Sequence, residues 1–473
     1  MSGTISIETL SEGPGPKYKR VADAIRRAVE RGDLTQGDKL PPVRDLAWTL
    51  KITPGTVARA YGLLTDQRIL TAEIGRGTFV ANPEEPSSAL VPIEVDVVPH
   101  GGLADTQSDE VNLFSPHLPC VGQAELIRGL LGQIAQDPPS GLMHYPSRSS
   151  AKPAREAVLN WLSSVALGPI QQQNIVLAHG GQNAIMLVFQ AVLRGPRPAI
   201  LVEELSYPGF RRAAELMRAD VIPVAMDKDG VLPDALEVAI LSNPNAQIFC
   251  TSPDVQNPTC SFTPEDRRQE VVRIVQRHDV QILEDDCYHL GRTLAPSYRR
   301  LAPGRSWYVS SISKLITPAL RIGFAVAPDG QDSTLRRAAE HGFFGLATPI
   351  SDLCAVLLGH PQIHDLTAKM QEISNDYVKR AVNVLGSYDL SWRQDVPFLW
   401  LMLPEGWRAG SFCRAAEGQG VQIRSAEEFA CREANSPHAV RFAVNAGISA
   451  DTFEAAMLRL RNLLDNPPEQ IGV

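Results

Sequence analysis

The stretch SSISKLITPALRIGF, residues 310–324, decides the fold of most of this chain. It overlaps the end of a short apolar run, the last in a series of such runs. These runs are NIVLA at 174–178, AILVEE at 199–204, QIFCTS at 247–252, VQILEDD at 280–286 and SWYVSSIS at 306–313. Strands that alternate with helices in this way predict a mostly parallel sheet covered by helices on both faces. Ligands of such sheets bind at the carboxyl ends of the strands, where residues 310–324 begin.

The length and the charge distribution of the chain both indicate more than one domain. A chain of 473 residues suggests about three compact units at roughly 150 residues each. The net charge is −8, yet residues 17–81 contain twelve Lys and Arg against seven Asp and Glu, so the remainder carries thirteen net negative charges. A basic segment on an acidic body predicts that only one part of the chain touches the phosphates of a nucleic acid.

Other partners are not indicated by the composition. No apolar run approaches the roughly 20 residues that cross a bilayer, and the N-terminal residues lack a signal-peptide pattern, so we expect a cytoplasmic protein with no membrane partner. The seven cysteines are scattered and never spaced as CxxC. This pattern predicts reduced thiols and no metal site.

The basic segment is predicted to contain three helices and a hairpin. A first helix stops near Gly32, a second begins at Pro41-Pro42, and a third has Thr53 as its N-cap and Pro54 in its first turn. The residues ILTAEIGRGTFVA that follow predict two short strands around a glycine turn. Residues 82–110, rich in Pro, Gly, Ser and acids, have the composition of a linker.

The segment LPPVRDLAWTLKITPGTVARAYGLLTDQRIL, with IGRGTFVA after it, resembles the GntR family of winged helix-turn-helix regulators. The resemblance implies a DNA-binding domain at 14–81, whose third helix enters the major groove of a double-stranded operator. The DNA contacts that it implies are Arg44, Thr53, Thr56, Arg59 and Arg76. Many relatives have Arg-Asn where this chain has Pro54-Gly55. The resemblance therefore does not indicate which side chain contacts the DNA bases.

Six motifs downstream of the linker resemble those of fold-type I aminotransferases: HYPSRSSAKPAREAVLNWL, AHGGQNAIMLVF, SYPGF, PDVQNPTC, LEDDCYHLG and the opening stretch. The resemblance implies a domain at 111–467 with the α/β PLP-dependent transferase fold and a smaller α+β subdomain. It also implies that Lys314 forms the Schiff base with pyridoxal 5'-phosphate (PLP). The further cofactor-binding residues that it implies are Tyr145, Gly181, Gln182, Tyr207, Asn257, Asp285, Tyr288, Ser311, Ser313 and Arg321.

Particular roles follow from the same resemblance. Asp285 is expected to hold the pyridine nitrogen, with Asp286 as the neighbouring alternative, and Tyr145 is expected to reach the cofactor phosphate of a second subunit. The segment VRFAVNAG supplies Arg441, which is expected to pair with the carboxylate of a bound ligand. This chain departs from the family where Cys260 replaces a usual glycine.

Taken together, the two resemblances identify the chain as similar to the MocR subfamily of GntR regulators. We therefore expect a multidomain, homodimeric transcription regulator that senses a small amino compound through an external aldimine on PLP. A catalytically active aminotransferase with a DNA-binding appendage is the alternative from the enzyme class. A module that senses PLP itself, without an amino ligand, is a third possibility.

Overall fold

The computed structural model describes residues 17–67, 69–73, 77–81, 110–288, 293–432, 434 and 436–467. The chain divides into two compact units, Met1–Gln107 and Ser108–Val473. Each unit has its own hydrophobic core and is described by itself below.

The first unit consists of three helices followed by a two-stranded antiparallel hairpin. Its elements are α1 (Lys17–Glu30), α2 (Val43–Thr49), α3 (Pro54–Asp66), β1 (Leu70–Glu73) and β2 (Gly77–Val80). Apolar residues at helical spacing, such as Val57, Ala60, Tyr61 and Leu64 on α3, form its core. The predicted sequence of helices and strands is confirmed, with one boundary corrected. Helix α2 begins at Val43 because the extended backbone of Pro42 makes that residue the N-cap.

The second unit is an α/β body with many short elements. Its strands are β3 (Val111–Asn112), β4 (Ile175–Ala178), β5 (Ala199–Glu203), β6 (Asp220–Val224), β7 (Met226–Asp227), β8 (Gly230–Val231), β9 (Ala246–Thr251), β10 (Gln281–Asp285), β11 (Ser306–Ser311), β12 (Gly323–Val326), β13 (Leu390–Ser391), β14 (Phe398–Met402), β15 (Val421–Gln422), β16 (Arg424–Ser425) and β17 (Ala439–Ala443). Its helices are α4 (Gln123–Gln136), α5 (Lys152–Trp161), α6 (Gly180–Val192), α7 (Pro208–Leu216), α8 (Pro233–Ser242), α9 (Glu265–Arg277), α10 (Tyr298–Leu301), α11 (Asp332–Phe343), α12 (Thr348–Leu358), α13 (Ile363–Leu385), α14 (Ala409–Gly418) and α15 (Ala450–Asp465).

The larger part of this body is a seven-stranded sheet in the order β4-β12-β11-β10-β9-β5-β6. Only β12 runs antiparallel to its neighbours, so the predicted mostly parallel sheet is confirmed. Separate apolar clusters cover the two faces of the sheet, one around Phe189 on α6 and another around Leu353 on α12. Buried strands with apolar residues on both faces are what such a double covering requires.

The smaller part contains the antiparallel sheet β13-β14-β17-β16, together with the parallel pair β3-β15. Helices α13, α14 and α15 supply the rest of its apolar cluster. The smaller α+β subdomain that the family resemblance implied is therefore present. Among the described helices, none combines the length and the apolar character needed to cross a membrane.

Candidate cofactor and ligand site

Three segments meet where β4, β10 and β11 end. They are the start of α6, the residues after β10, and the single turn of 3-10 helix Ile312–Lys314 that follows β11. Their approach is close, since a Cβ atom placed on Gly181 would lie 2.5 Å from Sγ of Cys287 and 4.0 Å from Cβ of Ser311. The sheet order therefore brings together residues that are more than 100 positions apart in the sequence.

The start of α6 provides backbone N–H groups beside an arginine. The helix begins at Gly180, so Gly181 and Gln182 lie in its first turn. Gly180 has a φ of +80°, and a Cβ there would collide with the guanidinium group of Arg321. Arg321 also donates to Oγ of Ser313 at 3.4 Å. The free N–H groups of a first helical turn and a neighbouring guanidinium form an anion-binding site.

Ser311 and Gln182 make contacts that the sequence did not predict. The hydroxyl of Ser311 accepts a hydrogen bond from the backbone N–H of Ser313 at 3.3 Å. The amide of Gln182 donates to the carbonyl of Gly209 at 2.9 Å and accepts from the hydroxyl of Tyr207 at 3.1 Å. Gln182 therefore fixes the position of Tyr207, whose ring also contacts Phe210 edge-on.

The two neighbouring acids at the end of β10 have different surroundings. Burial raises the pKa of Asp285 to about 6, although the backbone N–H of Cys287 donates to its carboxylate at 3.1 Å. Tyr207, Tyr288 and Cys287 are all close enough to Asp285 for its charge to raise their pKa values. Asp286 instead accepts a hydrogen bond from the hydroxyl of Tyr308 at 2.7 Å. These contacts place the carboxylate of Asp285 with the tyrosines of the candidate site and that of Asp286 with Tyr308.

Lys314 lies among three arginines. Burial lowers the pKa of its ammonium group to about 8, and the positive charges of Arg441, Arg321 and Arg424 act in the same direction. Near pH 8 about half of such lysines are neutral, and the neutral amine is the form that attacks carbonyl groups.

Arg441 on β17 is buried, with 3% of its surface exposed. Its guanidinium donates to Oδ1 of Asn257 at 3.0 Å and to the carbonyl of Phe114, and lies over the rings of Phe398 and Phe429. None of the described residues supplies it with a carboxylate at ion-pair distance, and its Nε makes no hydrogen bond within the described part of the chain. Burial accordingly lowers its pKa. An arginine in this state is suited to an anion from outside the chain.

Tyr288 lies beside this arginine, with its ring edge-on to Phe398 at a centroid distance of 5.1 Å. Burial raises the pKa of its phenol, while the charge of Arg441 opposes that rise. Asn257, Tyr288 and Arg441 thus connect the smaller sheet to the loops of the larger one. Sequence reasoning missed Phe114 and Arg424 here, because no local motif marks them and only the tertiary fold brings them to the site. It also assigned no role to Cys287, although this residue lies within the motif LEDDCYHLG.

Comparison with known proteins agrees with this geometry. Residues 117–460 match the family model "Aminotransferase class I and II", and residues 17–80 match "Bacterial regulatory proteins, gntR family". The chain belongs to the aminotransferase class I and II family and carries a GntR-type regulatory domain.

Relatives share both parts. The chain is 26% identical over 471 residues to the uncharacterised HTH-type transcriptional regulator YdeF of Bacillus subtilis, covering 97% of this chain and 96% of that protein. It is 28% identical over 322 residues to the HTH-type pyridoxine biosynthesis transcriptional regulator PdxR of Corynebacterium glutamicum, covering 67% of each. The crystal structure of Pyrococcus horikoshii kynurenine aminotransferase, in complex with PMP, matches with a TM-score of 0.67 and 20% identity over 77% of this chain and 92% of that one. That similarity shows the fold.

Tyr145 lies apart from the other residues that the sequence predicts to bind the cofactor. Its side chain is 84% exposed, and the aromatic ring nearest to it is that of Phe344 at a centroid distance of 6.1 Å. An exposed tyrosine is compatible with the predicted reach into a second subunit, which remains a prediction.

In the GntR-type domain, the predicted DNA contacts lie on or before α2 and α3. Arg44 and Arg59 are exposed, and Oγ1 of Thr53 lies 2.9 Å from Oγ1 of Thr56. The guanidinium of Arg59 lies 4.3 Å from the ring centre of Tyr18, a contact that the sequence did not predict. Arg76 and the linker residues 82–109 lie outside the described residues.

Proposed function

We propose that this protein is a PLP-dependent, DNA-binding transcription regulator of the MocR type that senses a small amino compound. The observation that carries the proposal is the position of Lys314, an amine whose burial lowers its pKa to about 8 and which lies near Arg321 and Arg441, in a chain that also has a GntR-type domain. YdeF, which matches over nearly the whole chain, and PdxR are both named as transcriptional regulators.

The residues at the site fit PLP group by group. The N–H groups of Gly181 and Gln182, the hydroxyls of Ser311 and Ser313, and Arg321 match a phosphate. Asp285 would hold the proton on the pyridine nitrogen, and Tyr207 would lie against the ring. Asn257 and Tyr288 would bond the phenolic oxygen. When bound, PLP supplies an aldehyde that joins amines covalently and a ring that withdraws electrons.

The ligand would be an amino compound with a carboxylate, because Arg441 is buried without an acidic partner among the described residues. A carboxylate placed there would provide the missing negative charge through two parallel N–H···O bonds. The amine of Lys314 can accept the proton that the ligand's ammonium group must lose, since its pKa of about 8 is close to physiological pH. Water would be excluded by the aromatic rings of Phe398 and Phe429 on either side of the guanidinium.

Sensing becomes regulation only if the ligand binds one arrangement of the protein more tightly than another. Arg441 lies in the smaller sheet and Lys314 follows the larger one, so a ligand that contacts both would join the two parts. We propose that the protein is a cytoplasmic homodimer, with Tyr145 at the cofactor of the partner and two GntR-type domains on two operator half-sites.

The cofactor half of the proposal is tested with the purified full chain in excess PLP. We expect a visible absorption band that Lys314→Ala abolishes and that Lys369→Ala, a change at an exposed lysine, leaves intact. Operator binding by the Lys314→Ala protein would show that its first unit is still folded. A colourless wild-type sample, or an unchanged band in Lys314→Ala, would refute the lysine assignment.

The DNA half is tested by the salt dependence of operator binding. Arg44→Ala is expected to lower the slope of log K against log salt concentration by about one per lost phosphate contact. Arg197→Ala, which changes an exposed arginine of the second unit, is the matched control. An unaltered affinity and slope in Arg44→Ala would remove this residue from the interface.

An active aminotransferase with a DNA-binding appendage is the second candidate. The observation that favours it is that the described cluster contains the three side chains that an aminotransferase would need, namely Lys314, Asp285 and Arg441. Steady-state conversion of an amino acid and a keto acid would support this candidate, whereas binding without turnover supports the regulator. A visible band that no amino compound changes would indicate a sensor of PLP itself.

A further inference from the structure

Two arginines occupy directly paired positions in the smaller sheet. Strands β16 and β17 are antiparallel, and Arg424 on β16 is the register partner of Arg441 on β17. Like charges at directly paired positions destabilise a sheet. A sheet that keeps such a pair requires compensating negative charge or a bound anion.

The two guanidinium groups converge on one acceptor. Nε of Arg424 donates to the carbonyl oxygen of Phe114 at 3.1 Å, and Nη2 of Arg441 donates to the same oxygen. The guanidinium of Arg424 also lies 4.8 Å from the centre of the Phe114 ring. Two donors on one oxygen are at most about 6 Å apart, given ordinary hydrogen-bond lengths.

Negative charge in contact with this pair comes from a single acid among the described residues. Glu428 bonds Nη1 of Arg424, and Arg441 has no carboxylate at ion-pair distance. The positive charges of both arginines also reach Lys314, where they act to lower its pKa. Before a ligand binds, the arginine pair therefore keeps one net positive charge that the described residues do not neutralise.

Hydrogen-bond donors remain available on both side chains. Within the described part of the chain, Nη2 of Arg424 makes no hydrogen bond, and about a fifth of the side chain is exposed. Each Nη of Arg441 has two N–H groups and donates one of them, while its Nε donates none. A second anionic group can thus bond Arg424 without displacing Glu428.

We propose that Arg424 is a second anion-binding residue, and that the effector is a short amino acid with an acidic group in its side chain. This inference rests on the proposed function, since it concerns the same ligand site. The carboxylate next to the amine pairs with Arg441 and the side-chain acid pairs with Arg424. Two acid groups separated by two or three carbon atoms lie about 4 to 5 Å apart, which is within the upper limit of about 6 Å between the two donors that share the Phe114 oxygen.

The test uses the PLP-loaded full chain and two matched pairs of ligands, aspartate with asparagine and glutamate with glutamine. The spectral change on titration gives an affinity for each. We expect at least one of the two acids to bind about 10-fold or more tightly than its amide, because an ionised acceptor forms the stronger hydrogen bonds. Arg424→Gln should remove this ratio while changing the affinity for the amide little.

Two further variants separate recognition from packing. Arg424→Lys should retain part of the acid preference, because it keeps the charge and loses the paired donors. Arg414→Gln, which changes an exposed arginine on α14 in the same subdomain, should retain all of it. Equal binding of both acids and their amides, or an equal loss for acid and amide in Arg424→Gln, would overturn the inference.

The same titrations keep this inference distinct from the proposed function. If the visible band is absent, or if no amino compound changes it, the proposed amino-compound sensor fails and Arg424 has no ligand to select. If amino compounds change the band with no preference for acids, the sensor stands and only the assignment of Arg424 fails.

Discussion

Two arginines in the second unit are equally hidden from solvent and differ in their partners. Arg268 on α9 is fully buried, pairs with Asp254, and lies 3.8 Å from Glu284. It also donates to the carbonyls of Thr263 and Pro296. Arg441 is 3% exposed, donates to a carbonyl and an amide, and has no carboxylate of the described residues at ion-pair distance.

The pKa values follow this difference. Burial alone lowers the pKa of Arg268, but the charges of Asp254 and Glu284 outweigh burial, so the pKa is raised. Burial of Arg441 outweighs the opposing effects of Tyr288, Glu428 and Cys260, so its pKa is lowered. A buried arginine whose anions are built into the chain serves the fold. One whose nearest contacts are neutral is available to a ligand.

Removal of the internally paired arginine should produce the largest effect on stability. Arg268→Met leaves Asp254 and Glu284 buried without their cation, which should lower the free energy of unfolding by about 3–5 kcal/mol. Denaturant titration of the full chain, followed by circular dichroism, measures this change. Arg277→Met changes an exposed arginine on the same helix as Arg268 and removes its ion pair with Glu237 on α8. This variant should lower the free energy of unfolding by less than about 1 kcal/mol.

Removal of the other buried arginine should affect binding instead. Arg441→Met is expected to weaken the binding of amino acids by about 2–5 kcal/mol, because the ligand carboxylate would lose its charged partner. The free energy of unfolding without ligand should stay the same or rise, since the unpaired guanidinium destabilises the core. Spectral titration and denaturant titration measure the two quantities. A loss of stability like that of Arg268→Met would erase the distinction between the two arginines.

A smaller effect is expected at the acid beside Arg424. Glu428→Gln removes the negative charge that competes with an anionic ligand, so the affinity for an acidic amino acid should rise by about threefold to tenfold. The affinity for the corresponding amide should stay the same. Titration of both ligands against this variant measures the change, and weaker binding of the acid would contradict the charge balance proposed for the site.

The sequence predicted the fold because apolar periodicity is local. The strands ending at Ala178, Asp285 and Ser311 were visible as short apolar runs, and Thr53-Pro54 marked the start of α3. The packing at the start of α6 depends on the tertiary fold, so the sequence does not show it. Gly180 adopts a positive φ there and leaves room for Arg321.

The candidate site was predicted unevenly. Lys314, Asp285 and Arg441 lie in recognisable motifs, and the structure brings them together. Their roles as cofactor and ligand contacts remain predictions. Arg424 could not be found in this way, because its significance depends on the register of β16 with β17 and on the carbonyl of Phe114, more than 300 positions away. A strand of two residues carries no periodic signal that would predict such a register.

The smallest effect should be seen in the pH dependence of cofactor attachment to Lys314. An ordinary lysine has a pKa of 10.5, and that of Lys314 is lowered to about 8, so its neutral fraction and the attachment rate should rise with a midpoint near pH 8. The folded protein then holds fewer protons than the unfolded chain between about pH 8 and 10.5. The cofactor-free protein should therefore gain stability as the pH rises through that range.

Arg441→Met removes one positive neighbour of Lys314 and should move the midpoint of cofactor attachment to higher pH, whereas Arg268→Met should leave it in place. Stopped-flow absorbance across pH measures the midpoint, and an equal displacement in both variants would show that the charge of Arg441 does not act on Lys314.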